Sequence, residues 1–188
     1  GFLGGIVSRH CFDIREAIAQ RTTVLEAKTV VAEGFHLKDG AGKLRGALTV
    51  GADRQPRLIL ADENGKYRAI VSLGKNGEPS VQLSDAAEKT RAIAALGSDG
   101  SPSLSFMDHS GKTRVSVFIA EDSAPHGVLK DGNGASRSER ALESGGNGRM
   151  ILTDEKESLR AGMFAGPDGL PYISLYDRGR KDRLTLRL

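Results

Sequence analysis

"PRLILADENGKYRAIVSL", residues 56–73, and "PSLSFMDHSGKTRVSVFI", residues 102–119, follow one plan. Each opens on proline, alternates apolar and polar residues up to an aspartate, turns through Gly-Lys, and alternates again beyond an arginine. Asp62, Gly65, Lys66 and Arg68 of the first stretch stand where Asp108, Gly111, Lys112 and Arg114 stand in the second.

The correspondence extends along the chain. Asp39, Asp62, Asp85, Asp108, Asp131, Asp154 and Asp177 recur every 23 residues. Six residues beyond each stands an arginine: Arg45, Arg68, Arg91, Arg114, Arg137, Arg160 and Arg183. Apolar residues hold fixed places before each aspartate, as Leu37, Leu60, Leu83, Phe106, Leu129, Leu152 and Leu175 do. Self-similarity at a fixed period of this length marks a tandem repeat in which each copy is one supersecondary unit.

The unit translates into structure. Each copy holds two runs of about five to seven residues with apolar residues at every second position, the pattern of a half-buried strand. D-x-x-G-K closes the first run with a turn whose glycine takes the left-handed conformation. "NGEP" (76–79), "DGSP" (99–102) and "DGLP" (168–171) close the second. Proline then opens the next strand, where its missing N–H does least harm. Each copy is therefore a β-hairpin, and neighbouring copies are expected to shelter one another's apolar sides.

Residues 13–33 read differently. Asp13 followed by Glu16 resembles a capping box. Ile14, Ala17, Ile18, Arg21 and Leu25 keep helical spacing, which predicts a helix over about 13–28 that passes into a strand near "KTVVAEGFHL". Before it, Phe2, Leu3, Ile6 and Val7 make an apolar segment. Those few residues are too short to cross a bilayer, which takes about 20. They suit an anchor or docking segment.

Bulk properties narrow the function. The chain has 188 residues, 38% of them hydrophobic, with 24 glycines, no tryptophan and three tyrosines. The 27 basic and 24 acidic residues are well mixed, so no basic patch argues for nucleic acid. Cys11 is the lone cysteine, which excludes an intrachain disulfide and a thiolate zinc cage. His10, His36, His109 and His126 share no metal-ligand spacing. "DENG" and "DGNG" are Asp-rich but lack the twelve-residue loop and terminal glutamate of a calcium site. Phosphate-binding glycine loops and nucleophile elbows are absent, and the aromatic content is too low for cages around a quaternary ammonium.

An active site needs a few unlike residues converging at one place, not one pair repeated at every rung. The Asp–Arg pairs therefore read as structural, with Asp accepting turn N–H groups and Arg pairing with an aspartate of its own or a neighbouring hairpin. The fifth repeat departs furthest from the pattern. Gly127 replaces an apolar residue, and Glu139 and Arg140 occupy places that are apolar elsewhere. His126, Glu139 and Arg140 are accordingly the candidate interaction edge.

The sequence points to an all-β fold of seven tandem 23-residue β-hairpin repeats, an elongated meander, solenoid or prism-like stack after a short N-terminal helix. Residues 1–12 would be the anchor, 13–33 the helix and lead-in, and 34–188 the repeat domain. The matching function is a non-catalytic structural or interaction protein with protein partners, self-association or both, and no cofactor. It would be held at a membrane or larger complex by its N-terminus, as an accessory subunit, membrane-associated or extracytoplasmic. A self-associating surface or virion fibre is the alternative. A polysaccharide hydrolase ranks below both, because Glu33, Glu78, Glu121, Glu143 and Asp168 show no convergence.

Overall fold

Each sequence repeat is a hairpin in the computed structural model, which describes residues 27–143, 145–166 and 168–187. In order, the strands are β1 (Gly34–Lys38), β2 (Leu44–Val50), β3 (Pro56–Ala61), β4 (Tyr67–Leu73), β5 (Pro79–Ser84), β6 (Thr90–Leu96) and β7 (Pro102–Met107). They continue as β8 (Thr113–Ile119), β9 (Pro125–Lys130), β10 (Ser136–Leu142), β11 (Gly148–Thr153), β12 (Leu159–Ala165), β13 (Pro171–Tyr176) and β14 (Asp182–Arg187). All fourteen lie in one antiparallel sheet in sequence order. Among the described residues each strand packs against its sequence neighbours alone, so the sheet is open and one layer thick.

The predicted helix over 13–28 falls almost wholly outside the described residues, as do Phe2, Leu3, Ile6, Val7 and Cys11. The strand expected to start near Lys28 starts at Gly34. Its partner explains the difference. Gly34 pairs with Thr49, one residue before β2 ends, so β2 offers almost no partner for an earlier start.

One loop design joins every pair of strands. In the first hairpin the Asp39 carbonyl accepts the Gly42 N–H at 2.9 Å, and the Asp39 N–H donates to the Lys43 carbonyl at 2.9 Å. A turn of this kind followed by a left-handed residue makes a bulged hairpin. The same two bonds recur in all thirteen loops. The left-handed position holds glycine in eight of them, Gly65 at φ 80° for example, and Arg54, Glu88, Ser123, Glu157 or Arg180 in the others. Three of these exceptions gain something in return, Arg180 by donating to the Ser158 hydroxyl at 3.4 Å. The Glu88 carboxylate accepts the Tyr67 N–H at 3.2 Å, and the Glu157 carboxylate accepts the Ser136 N–H at 3.1 Å, each bonding the preceding repeat.

The alternation of the strands sorts residues onto two faces. In β3, Ile59 is 6% exposed, whereas Leu58 and Leu60 on the other face are 44% and 51% exposed. The more buried positions therefore lie on the polar face. Arginine stems cover that face: the Nε–H groups of Arg45, Arg68 and Arg114 reach the carbonyls of Ala61, Ser84 and Lys130 at 3.2, 2.9 and 2.7 Å. Side-by-side pairing of hairpins satisfies the backbone but covers no face. Neighbouring repeats therefore leave the apolar side open instead of sheltering it.

The loops generate a prediction. A left-handed non-glycine residue costs about 1–2 kcal/mol, and Ser123 at φ 66° makes no compensating side-chain bond among the described residues. Ser123→Gly should raise the unfolding free energy by about 0.5–1 kcal/mol, and Gly65→Ala should lower it by about 1 kcal/mol. Urea denaturation of both variants checks the two signs.

Candidate docking face

The apolar face is built from cross-strand rows. One row starts at Phe35 and passes through Leu48, Leu58, Val71, Val81, Ala94, Leu104 and Val117, each directly opposite the next. It continues through Gly127, Arg140, Met150, Met163 and Ile173 to Leu186. A second row runs beside it from Leu37 through Gly46, Leu60, Ala69, Leu83, Ala92 and Phe106 to Leu184. Val81, Phe106, Val117 and Met163 are 43%, 43%, 51% and 53% exposed, so the strands themselves leave both rows uncovered among the described residues. At about 4.8 Å between strands and 3.3 Å per residue, the face measures roughly 60 by 20 Å, or about 1,200 Å². The largest apolar patch on an ordinary monomer is about 300–600 Å².

The row is interrupted at one place. Gly127 removes a side chain from it, and Arg140 stands directly opposite. Among the described residues Arg140 is the sole charged side chain in the two rows, and it forms no hydrogen bond or ion pair. An open trough of about 1010 Å³ lies over this part of the face, lined by Val117, Gly127, Arg140, Met150, Met163 and Ile173 among others.

The structure divides the three candidate edge residues between the two faces. Glu139 and Arg140 are adjacent in sequence, so strand alternation points them in opposite directions. Glu139 joins His126 on the polar face, where its Oε1 accepts a 2.6 Å hydrogen bond from Arg149 Nη2 and lies 3.2 Å from His126 Nδ1. Burial works against ionisation of Glu139, but Arg149, then His126, outweigh it and hold the carboxyl below its usual range. His126 stacks on Phe118 at 5.0 Å between ring centroids, and Phe164 stacks on Tyr172 at 4.8 Å. Arg187 lies over the Tyr172 ring at 5.4 Å. Sequence reasoning missed Arg149 and this aromatic file. The available signal was register: tight loops of known length put Ala141 between His126 and Arg149 in one cross-strand file, both diagonal to Glu139.

The seven aspartates and seven arginines line one end of the strands. In every copy Oδ1 of the turn aspartate accepts the N–H two residues on and the N–H four residues on; Asp62 does so from Asn64 and Lys66 at 2.9 and 3.1 Å. Oδ2 faces the arginine of the same turn in all seven, as in Asp62–Arg68 at 3.3 Å and Asp177–Arg183 at 2.5 Å. Five arginines also donate to a carbonyl of the next hairpin: Arg45, Arg68 and Arg114 as above, Arg91 to Asp108, and Arg160 to Asp177. Arg137, in the fifth repeat, keeps its aspartate but leaves Nη1 buried without a partner.

All seven turn carboxyls are held below the usual carboxylate range. In Asp62, Asp85 and Asp131 desolvation is the largest single influence and opposes ionisation, and the turn N–H groups and the arginine together exceed it. In Asp154 the Ser158 N–H comes first and, with Arg160, brings the value to about 2. Among the described residues no group of three or more His, Cys, Asp or Glu side chains is placed to hold a metal ion. No helix there is long and apolar enough to cross a membrane.

No family model matches this chain, and no curated protein matches its sequence. Two of the solved structures that resemble this chain illustrate a distant likeness. One is the TCP domain of SAS-4 (dCPAP) from Drosophila melanogaster, in complex with a proline-rich motif of Ana2 (dSTIL). It shares 10% identity at a TM-score of 0.39, over 89% of this chain and 97% of that one. The other is the TCP10 domain of Danio rerio CPAP in complex with a STIL peptide, with 14% identity and a TM-score of 0.18 over 82% and 99%. At these values neither structure bears on what this chain binds.

The turn carboxylates predict a pH dependence. Their folded-state pKa lies below the unfolded one, so the stability they contribute is fully present above the ordinary value of 3.8. It is lost as the pH falls through the folded value, about 2 for Asp154. The melting temperature should drop across that interval. Asp154→Asn should melt below wild type at pH 7, and the gap should narrow as the pH approaches about 2. Scanning calorimetry from pH 7 downward checks this, and a constant gap would deny the charge its role.

Proposed function

We propose that this chain is a non-catalytic structural protein that works by protein association through the apolar face of its repeat sheet. The observation that carries the reading is the exposed apolar face, spanning every strand from β1 to β14 with Arg140 as the one charge of its two rows among the described residues. Left in water, a face of about 1,200 Å² is far larger than soluble monomers keep, and it exceeds the roughly 800 Å² per partner of a stable interface. The polar groups support the same reading. The repeated carboxylates are taken up by their own turns, and Glu78 and Asp168 bond their own loops through Asn76 and Leu170. In this proposal the repeat sheet is a rigid spacer or docking platform. The segment with Phe2, Leu3, Ile6 and Val7 attaches it to a membrane or a larger complex, an assignment supported by the apolar character of those residues.

Val71 and Ser72 are neighbours on opposite faces of β4, which makes a matched test. Tagged chain recovered from its native source in mild detergent should bring a stoichiometric protein with it, untagged copies of itself counting as one. Val71→Lys should lose that protein and Ser72→Lys should keep it. Equal recovery with both variants would sink the proposal. A chain lacking residues 1–12 should keep the partner but leave the membrane fraction, and its retention there would remove the anchor from the proposal.

A further inference from the structure

We infer that the occupant of the apolar face is the same face of another copy of this chain. The inference rests on the docking role proposed above and names the partner. The relief of the face carries it. In the row beginning at Leu37, larger and smaller side chains alternate strand by strand as far as Leu175: Leu60, Leu83 and Phe106 come from the first strands of their hairpins, and Ala69, Ala92 and the smaller Val115 from the second. That row is therefore corrugated, with ridges every two strands, about 9.6 Å apart, while Leu58, Val71, Val81, Leu104 and Val117 keep the row beside it filled from both strands. Sheets packed face to face lie about 10 Å apart with inner side chains interdigitated. A second copy displaced by one strand lays the ridges of this row in the furrows of its counterpart. A partner of unrelated sequence would have to carry the same spacing; another copy has it by construction. The area agrees, since about 1,200 Å² from each copy falls within the range of obligate interfaces.

Arg140 marks where the fit is incomplete. The two apolar rows carry no acid, so a covering copy brings no counter-charge to it, and an unpaired charge in a dry interface is strongly unfavourable. The missing side chain at Gly127 and the trough beside it leave room for water around the guanidinium. Two substitutions on the same face should then act in opposite directions. Leu83→Lys adds a charge where the face closes, and Arg140→Val restores the residue type found at Val71 and Val117 in the same row.

The test uses the full chain in analytical ultracentrifugation. Wild type should be a reversible or stable oligomer. Leu83→Lys should raise the dissociation constant about tenfold or more, Arg140→Val should lower it, and Gln82→Lys on the polar face should leave it unchanged. Far-ultraviolet circular dichroism shows whether Leu83→Lys is folded. If it is not, thiol protection decides. In a Cys11→Ser background, alkylation of Ala92→Cys should slow as protein concentration rises, while Ser105→Cys on the polar face reacts at a constant rate. A monomer at every concentration, with Ala92→Cys always reactive, overturns the inference. If that monomer still holds a different protein through Val71, the docking role stands and the identity of its partner is what fails.

Discussion

The structure of the repeat sheet follows from the absence of a second layer among the described residues. A strand buried in a sandwich draws its stability from the sheet opposite, whereas each strand here has only the two beside it. The hydrogen-bonded ladder and the cross-strand side-chain rows must then do what a core does elsewhere. This is why so few of the described residues are buried, and why those few, such as Ala47, Ile59 and Val128, lie on the polar face and not among the leucines.

The turn aspartates and arginines make that arrangement hold its register. Oδ1 fixes the turn, Oδ2 fixes the arginine, and the arginine reaches a carbonyl of the next hairpin. Turn lysines add a parallel link, with Lys43, Lys66 and Lys112 donating to Glu63, Ala86 and Gly132. Each repeat is thus tied to the next by groups that lie outside the ladder itself. Stability in such an array is approximately a sum of the units and the contacts between nearest neighbours. In the fifth repeat Arg137 reaches no carbonyl beyond it and Gly127 thins the row on the other face. The tie to the sixth runs instead through Glu157 and Thr153, which bond the Ser136 backbone, and through Arg149, which bonds Glu139.

The period, the strands and the turns were legible in the sequence because each is decided within 23 residues. Leu58, Ile59 and Leu60 announce a strand, and Asp62 with Gly65 announces its end. How one hairpin meets the next was not legible. The same alternation serves a closed wheel, a stack or a flat sheet, and the choice lies in links such as Arg45 to Ala61 that have no signature in a single copy. The candidate edge shows the same limit at the scale of one residue. Glu139 and Arg140 read as a charged pair along the chain, yet a strand turns successive side chains to opposite sides. Their separate surroundings, Arg149 and His126 for one and Met150 and Gly127 for the other, depend on register across β9–β11.

The uniform loops have a further consequence. With thirteen connections of one design, any hairpin can be followed by any other without a new corner having to be invented. Duplication or loss of a single unit in the gene would move the far edge of the sheet by two strands, about 9.6 Å, and leave every remaining joint as it was. The domain is in effect a ruler graduated in copies, and evolution can set its reach by counting.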